Sequence, residues 1–584
     1  MKKSFSEKVW NFLKCDEKKL KNITMQLGVS DLVVRILLNR GFSDHSEIET
    51  FLGSKLKNTI PDPSLLLGMD DGIERVIKAI SKNERIMVFG DYDVDGITST
   101  CLIVKYLNLL GVNSSHYIPN RFTDGYGINM RLIEAAKRDG IKLLIILDSG
   151  VNSIEEIDFA NKLGIDSIVI DHHPQLSVHL PKAVAVIDPN RTDQNEIKNA
   201  HIKSLCAAGV SLLFIIALQR ELKRRDFFEV HQRQIPNLLD FADIVALGTL
   251  CDVMDMVGMN RAIVKHVLEK SSYSTGISSL MQLFNIRKIS TSEDLSFFIG
   301  PAINAAGRVG NPNIALKLLL EESPEISQEI ALQLIEFNKI RKNFEKELLD
   351  EATVTIERMD LARHNGICVY GDGWHKGVIG IIAGKIKDKY RKPTFVISFD
   401  KNGIGYGSAR SMHGMHLGEF LEKAKMNGIL LEGGGHALAG GFSISKNKIQ
   451  EFSEFLNEQI KFDFVDSVDI DYSISSLTDL SQIWKELRIL EPFGKKMEKP
   501  IFCINGTKIQ SIRKNNTVSH ITLYISRGFE KGAMRAMLFN VKNKRRIVQA
   551  LEENVDKLLD VSGSINYNEQ FGSSFIIEDI RLSD

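Results

Sequence analysis

Asp91, Asp93 and Asp95 stand two residues apart in Asp91-Tyr92-Asp93-Val94-Asp95-Gly96, directly after the apolar run Ile86–Phe89 and one glycine. Two further apolar runs end the same way. Leu143–Leu147 stops at Asp148, and Ser167–Ile170 stops at Asp171, which is followed by His172 and His173. Five carboxylates and two imidazoles gathered in one place repel or titrate one another unless they hold cations. Oxygen ligands mixed with imidazole suit Mn²⁺ or Mg²⁺ better than thiolate-rich zinc sites. The chemistry expected of such a cluster is hydrolysis assisted by two metal ions. A calcium loop is excluded, because its twelfth position must be Glu and here is Leu102, and because a strand-like run precedes it. Asp243 heads another apolar run, Ile244–Leu247, and reads equally as a fourth contributor or as a helix cap.

A second set of residues has the types that bind phosphate. Gly407-Ser408-Ala409-Arg410-Ser411 joins small residues to a guanidinium, and Gly433–Gly435 precedes His436, with Gly440 and Gly441 following. Glycines let backbone N–H groups approach phosphate oxygens, and arginine binds them in pairs. No G-x-x-x-x-G-K-[ST] segment is present, so nucleotide binding by a P-loop is not indicated.

These residues need a frame. The apolar runs alternate with helix-like stretches at Ile97–Leu110, Met130–Arg138 and Ser153–Leu163, each followed by glycine or one residue short of it. That alternation predicts an α/β fold with a doubly wound parallel sheet, whose strand ends share one edge. Residues 200–285 and 311–360 read as helical, and the charged, Gly- and Pro-free stretch Gln328–Met359 predicts a long solvated connecting helix. A second α/β region begins near Gly366, with strands at Gly366–Tyr370 and Pro393–Ser398 around a helix at Val378–Tyr390. From about residue 463, short alternating segments such as His520–Ile525 predict a small β-barrel.

Bulk properties set limits. Lys and Arg total 74 and Asp and Glu total 74, so the chain is not a globally basic nucleic-acid binder, although a local basic groove is compatible with that balance. The six cysteines include no C-x-x-C pair and read as reduced core thiols. No apolar stretch reaches the length of a membrane span and the first residues lack a signal-peptide core, so a cytoplasmic protein with no membrane partner is expected.

The segments Asp91–Ser99, Leu147–Gly150, Asp171–His173 and Asp243–Thr249 resemble, in order, the four motifs of the DHH phosphoesterase superfamily. Gly433–His436 resembles the DHHA1 domain that accompanies it. Pro119–Gly127, Asn304–Arg308 and Trp374–Gly380 narrow the likeness to bacterial exonucleases that degrade single-stranded DNA from 5′ to 3′. The resemblance implies a domain order of an N-terminal helical extension (1–60), a DHH catalytic domain (61–325), a connecting helix (326–360), a DHHA1 domain (361–462) and a C-terminal OB-fold (463–584). It implies two Mn²⁺ or Mg²⁺ ions held by Asp91, Asp93, Asp95, Asp148, His172 and Asp243, with Asp148 bridging and His173 beside them in catalysis. Arg121, Ser408 and Arg410 would bind the 5′ phosphate, Arg308 and His436 the phosphates near the scissile bond, and Trp374 and His375 would join the substrate contacts. Phe122 and Tyr126 are further candidates for base stacking. The implied setting is DNA repair and recombination, by a monomer working with a single-strand-binding protein and a recombination helicase. The chain departs from some relatives at His520-Ile521-Thr522, where they carry Leu-Lys after the histidine, which removes a basic contact from the barrel. A phosphatase or nuclease acting on oligoribonucleotides, nucleotide phosphates or pyrophosphate, and a metal-free replication scaffold, are the competing readings.

Overall fold

The computed structural model describes the chain except residues 1, 2, 54, 195–200, 413, 462–465, 477–479, 515–519, 528–532, 542, 543, 569–571 and 584. The chain divides into two compact units, one made of residues 53–342 with 492–498, the other of 1–52, 343–491 and 499–584.

The first unit is built on a parallel sheet that is five-stranded among the described residues. Its elements run β1 (Ile86–Phe89), α1 (Val94–Leu109), β2 (Ser114–Tyr117), α2 (Met130–Arg138), β3 (Leu143–Leu147), α3 (Ile154–Lys162), β4 (Asp166–Ile170) and β5 (Ala185–Ile187), in the order β2-β1-β3-β4-β5. The apolar runs form strands because both faces are covered. All five residues of β3 are buried, and Phe89, Ile146 and Val169 share one core with Ile133, Ala136, Ile157 and Ala160 of α2 and α3. Helix α1 starts at Val94, three residues before the sequence pattern, because the Asp93 side chain caps it by accepting from the N–H groups of Asp95 and Gly96. Helices α4 (Ala207–Arg224), α5 (Ala242–Cys251) and α6 (Gly300–Val309) follow.

Helix α7 (Pro324–Arg358) is 35 residues long, as its charge pattern predicts, but it is not simply solvated. Ile330, Ala331 and Leu334 in its first half are buried, and so are Leu348, Ala352 and Ile356 in its second. Apolar side chains three and four apart give each half a stripe for the unit it belongs to.

In the second unit, β6 (Ile367–Asp372), α8 (Ile379–Tyr390), β7 (Thr394–Phe399), β8 (Ile404–Arg410), α9 (Leu417–Met426), β9 (Glu432–Gly435) and β10 (Ala439–Ser445) form a mixed sheet in the order β9-β10-β8-β7-β6. Phe395, Phe420, Phe442, Phe452 and Phe455 fill its core. The C-terminal strands wrap further. Phe502–Lys514 pairs on one side with His520–Arg527 and on the other with Leu559–Asn568, so the sheet partly closes on itself. Register shifts between Ile509 and Ser511 and between Ile504 and Thr507 let that long strand bend.

The N-terminal residues hold a strand that helical periodicity does not anticipate. Val9–Phe12 pairs in parallel with Ser467–Ile470, and the buried Trp10 indole donates to Asp579 at 2.9 Å. Arg40 adds a two-bond ion pair to the buried Asp471, at 2.7 and 3.0 Å. These contacts tie the N-terminal segment to the unit that contains the C-terminal barrel. No helix among the described residues is long and apolar enough to cross a membrane, and all six cysteines are unpaired.

Candidate metal centre and phosphate-binding residues

The strand register sets the row of acids. Leu147 is level with Ile170, and Ile170 with Ile187, while Phe89 is level with Ile146. The residues just beyond these ends are Asp148, Asp171 and Asp188, with Asp91 two places past Phe89, so four aspartates leave adjacent strands on one edge. Asp188 escaped the sequence reading, although its signal is the same: Ala185-Val186-Ile187 is a short apolar run that stops at Asp. Burial, then the Asp171 charge, raises its carboxyl to about 8.

Each acid is fixed differently. Asp148 has φ of 57°, a left-handed conformation that Asp and Asn tolerate better than other side-chain-bearing residues. The Asp95 carboxylate accepts from the N–H groups of Ala207 and Ala208 at 2.7 and 2.9 Å, anchoring it at the N-terminus of α4. Gly96 is required here, because a Cβ would lie within 2.6 Å of three Asp91 backbone atoms. Asp171 turns away from the row's centre and buttresses the histidines: it accepts from the backbone N–H groups of His172 and His173 and binds His173 Nδ1 at 2.8 Å.

His172 lies at the centre of the cluster. Its Nε2 is 3.2 Å from Asp148, 3.5 Å from Asp252 and 3.7 Å from Asp95. Three sets of side chains each bring ligand atoms within 4.8 Å of one another: Asp91, Asp93 and Asp148; Asp95, His172 and Asp252; and Asp148, His172 and His173. Asp148 belongs to the first and third sets, as a bridging ligand would. Burial is the leading force on these groups. It drives the Asp91, Asp95 and Asp148 carboxyls up, with the neighbouring aspartates adding to it, and lowers the His172 pKa so that its ring stays neutral and able to ligate. Asp252 is raised to about 8 by burial and by Asp95 and Asp93, against the opposing charges of His173 and Lys495. His173 rises to about 9, because its bond to Asp171 outweighs the effect of burial.

Whether a metal suits these residues can be judged from their unused atoms. Asp91 Oδ1, His172 Nε2 and Asp252 Oδ2 are all buried, and none has a hydrogen-bond partner. Buried polar atoms are rarely left in this state. Their donor set of carboxylate oxygen and imidazole nitrogen fits Mn²⁺ or Mg²⁺.

Asp243 is not brought to this cluster, contrary to the expectation from its motif. Its Oδ1 accepts from Ile244 N–H at 3.0 Å and its Oδ2 from Ser274 N–H at 2.6 Å, so it pins the start of α5 to the chain at Ser274. The acid that joins the cluster is Asp252, at the other end of the same ten-residue helix, about 15 Å long.

Tyr92 and Tyr126 lie beside the acids. Their rings are 6.4 Å apart, edge to face, and Tyr126 donates to the Asp148 carbonyl at 3.2 Å. The Arg121 guanidinium sits 4.1 Å from the centre of the Tyr92 ring. Arg308, near the end of α6, also acts on Tyr92, whose hydroxyl is pushed up to about 12, chiefly by burial. Gly307 lets α6 approach, since a Cβ there would come within 2.3 Å of the Tyr92 carbonyl oxygen. Phe122 is 44% exposed and Tyr126 57%.

In the second unit, Ser408 and Arg410 share one face of β8, with Arg410 Nη1 3.4 Å from Ser408 Oγ. Gly380, in the first turn of α8, backs onto both: a Cβ there would lie 2.9 Å from Ser408 Oγ and 3.3 Å from Arg410 Nη2. A serine, a guanidinium and the first turn of a helix thus lie side by side. Trp374 is buried and its carbonyl accepts from Ser398 Oγ at 2.5 Å, so it packs in the core and is not an open stacking surface. His375 stacks on Phe344 at 4.7 Å and accepts from Gly377 N–H. His436 is exposed, at the turn of the β9–β10 hairpin. The glycines before it have a packing reason: a Cβ at Gly435 would meet the Ala439 carbonyl oxygen at 2.4 Å, and one at Gly418 in α9 would meet the Gly435 carbonyl oxygen at 2.5 Å.

The chain is similar to known proteins over most of its length. Residues 85–249 match the DHH family, N-terminal domain; 363–461 match the DHHA1 domain; and 468–576 match the RecJ OB domain. The single-stranded-DNA-specific exonuclease RecJ of Escherichia coli (strain K12) is 32% identical over 487 residues, covering 81% of this chain and 82% of that protein. The chain belongs to the RecJ exonuclease family. RecJ of Bacillus subtilis (strain 168) is 30% identical over 546 residues, which cover 90% of this chain but only 66% of the relative. The crystal structure of RecJ in complex with Mn²⁺ from Thermus thermophilus is similar over 99% of this chain and 80% of that one, with a TM-score of 0.80 at 25% identity.

A cation that binds this cluster only in the folded state must stabilise the folded chain. Mn²⁺ at a hundred times its Kd is expected to add about 2.7 kcal/mol and to raise the melting midpoint of the first unit by roughly 5–10 °C. Differential scanning calorimetry with Mn²⁺, then with excess chelator, measures this; a midpoint indifferent to both would contradict the metal site.

Proposed function

We infer that this chain is a metal-dependent exonuclease that removes nucleotides from the 5′ end of single-stranded DNA, in DNA repair and recombination. The observation that carries the reading is the set of buried, unpartnered ligand atoms on Asp91, His172 and Asp252 at the strand rim of a chain of the RecJ family. Asp91, Asp93, Asp95, Asp148, His172 and Asp252 would hold two Mn²⁺ or Mg²⁺ ions. Bound there, such ions supply Lewis-acid stabilisation of a phosphate and an activated water. The protein's own groups do the rest. Asp171 fixes one ring nitrogen of His173 and so sets the orientation of the ring beside the cluster. Arg121 and Arg308, whose guanidinium charges both act on Tyr92, would balance charge developing on the phosphate oxygens. Ser408 and Arg410, with the N-terminus of α8, would hold the terminal 5′ phosphate, and His436 a neighbouring one. The C-terminal barrel would guide the strand. In cells the substrate would come from a helicase and be covered by a single-strand-binding protein, which makes both natural partners.

A strand labelled at its 5′ end and the same strand labelled at its 3′ end test this reading. Early release of labelled mononucleotide from the 5′ label alone is expected, and Arg410→Ala should raise KM about tenfold or more for a 5′-phosphorylated strand. Release from the 3′ end, or faster turnover of a dinucleotide than of a long strand, would favour the small-substrate alternative instead.

A further inference from the structure

Residues 492–498 belong to the unit that carries the metal cluster, although the chain on either side of them, up to Glu491 and from Lys499, belongs to the other. They form a strap with built attachments. Phe493 and Met497 are buried, and Met497 is fully so. Gly494 and Met497 exchange both backbone hydrogen bonds, at 2.9 and 3.0 Å, closing a tight turn. The wholly buried Arg261 donates to the Pro492 carbonyl, and Ser292 Oγ to the Phe493 carbonyl at 2.8 Å.

The far side of this strap grips the loop that leaves α5. Asp255 bridges to Lys495 in parallel β fashion, and Met256 N–H donates to the Lys495 carbonyl at 2.8 Å. The Asp255 carboxylate lies 3.3 Å from Lys495 Nζ and 2.9 Å from Lys496 Nζ. Gly494 lies against Met256, where a Cβ would come within 3.2 Å of its Cε. That loop begins with Asp252 and continues with Val253, whose φ is 56°. A β-branched residue does not hold a left-handed conformation by preference; its surroundings must impose it. The strained residue is thus set between a metal-facing acid and a clamp three residues away.

We propose that the strap Pro492–Glu498 is a positioning element of the metal centre, with Lys495 and Lys496 acting through Asp255 to hold Asp252 in its ligating place. The inference rests on the reading of Asp252 as a ligand. Lys495 and Lys496 are positioning residues: neither supplies a metal ligand. Their role has a sign that separates it from simple electrostatics. Two positive charges near a cation site weaken its affinity, so removing them should tighten Mn²⁺ binding if charge is all they contribute. If they hold Asp252 in place, removing them should weaken it.

The experiment is calorimetric titration of the metal-free full chain with Mn²⁺, for wild type, K495A/K496A, K495R/K496R, D255N and D252A. Both lysines are more than half exposed, so their replacement leaves the core untouched. K495A/K496A and D255N are expected to raise the Mn²⁺ Kd about tenfold, and K495R/K496R to restore it to within about twofold. At saturating Mn²⁺ the kcat of K495A/K496A on single-stranded DNA should recover, leaving the metal dependence as the altered quantity. Unchanged or tighter Mn²⁺ binding by K495A/K496A, with D252A defective, overturns the strap's role while leaving the metal site standing. Wild-type Mn²⁺ binding by D252A overturns the ligand reading and the strap's role together.

Discussion

Asp148→Asn is expected to lower kcat on single-stranded DNA by about a thousandfold or more, equivalent to about 4 kcal/mol of transition-state stabilisation, without loss of the fold. Asp148 is shared by two of the three ligand sets, so no other single acid links as much of the cluster. Asparagine has nearly the shape of aspartate and accepts the left-handed φ of 57°, so the backbone at the strand end is undisturbed. The substitution also removes a negative charge from among Asp91, Asp93, Asp95 and Asp252, all of which act to raise the Asp148 pKa. The metal-free variant should therefore melt no earlier than wild type, while its Mn²⁺ stabilisation shrinks. Asp148→Ala adds a different penalty, about 1–2 kcal/mol for a side chain that gains nothing from the left-handed region. Steady-state kinetics and melting curves on both variants make the check. Near-normal Mn²⁺-dependent activity in Asp148→Asn would remove the basis for a two-metal site.

Asp252→Asn and Asp243→Asn should fail in opposite ways. Asp252 has a buried oxygen without a hydrogen-bond partner and sits 3.5 Å from His172, so its loss should cost activity and metal affinity, on the order of a hundredfold in kcat/KM, with no loss of stability. Asp243 is fully buried, and its two oxygens serve the N–H groups of Ile244 and Ser274. An amide can keep only one of those acceptors, and turning its NH₂ toward the other N–H costs about 1–3 kcal/mol. Asp243→Asn should thus melt earlier, yet keep its activity per folded molecule to within a few-fold. Urea unfolding set beside kcat/KM for the two variants decides the matter. A catalytic collapse in Asp243→Asn, with a sound Asp252→Asn, would return Asp243 to the metal.

The contrast between these two acids shows where sequence reasoning ran out. Both flank one apolar run, and a pattern of residue types cannot say which end of that run faces the cluster. Helix α5 separates the two ends by about 15 Å, and its packing against α1 and α4 selects the C-terminal one. Asp188 was missed for a milder reason. Its strand has only three residues, too few to stand out among apolar runs. Trp374 shows the converse: an aromatic in a recognisable motif, offered as a substrate contact, proves to be buried.

By itself, the sequence determined what depends on local order and covalent spacing. It determined the alternation of strands and helices, and with it a parallel sheet whose acids leave one edge. It determined the aspartates of the Asp91–Asp95 turn, the paired histidines after β4, the long helix α7 and the sheet-rich C-terminus. Each of these follows from periodicity, capping or adjacency in the chain. Tertiary structure alone decided which distant groups meet: Ala207 and Ala208 at Asp95, Asp252 at His172, Trp10 at Asp579, and the strap at Asp255. Those contacts join residues tens to hundreds of positions apart. They are selected by the packing of whole elements and by the need to satisfy buried charge, and neither leaves a mark on the local pattern of the chain.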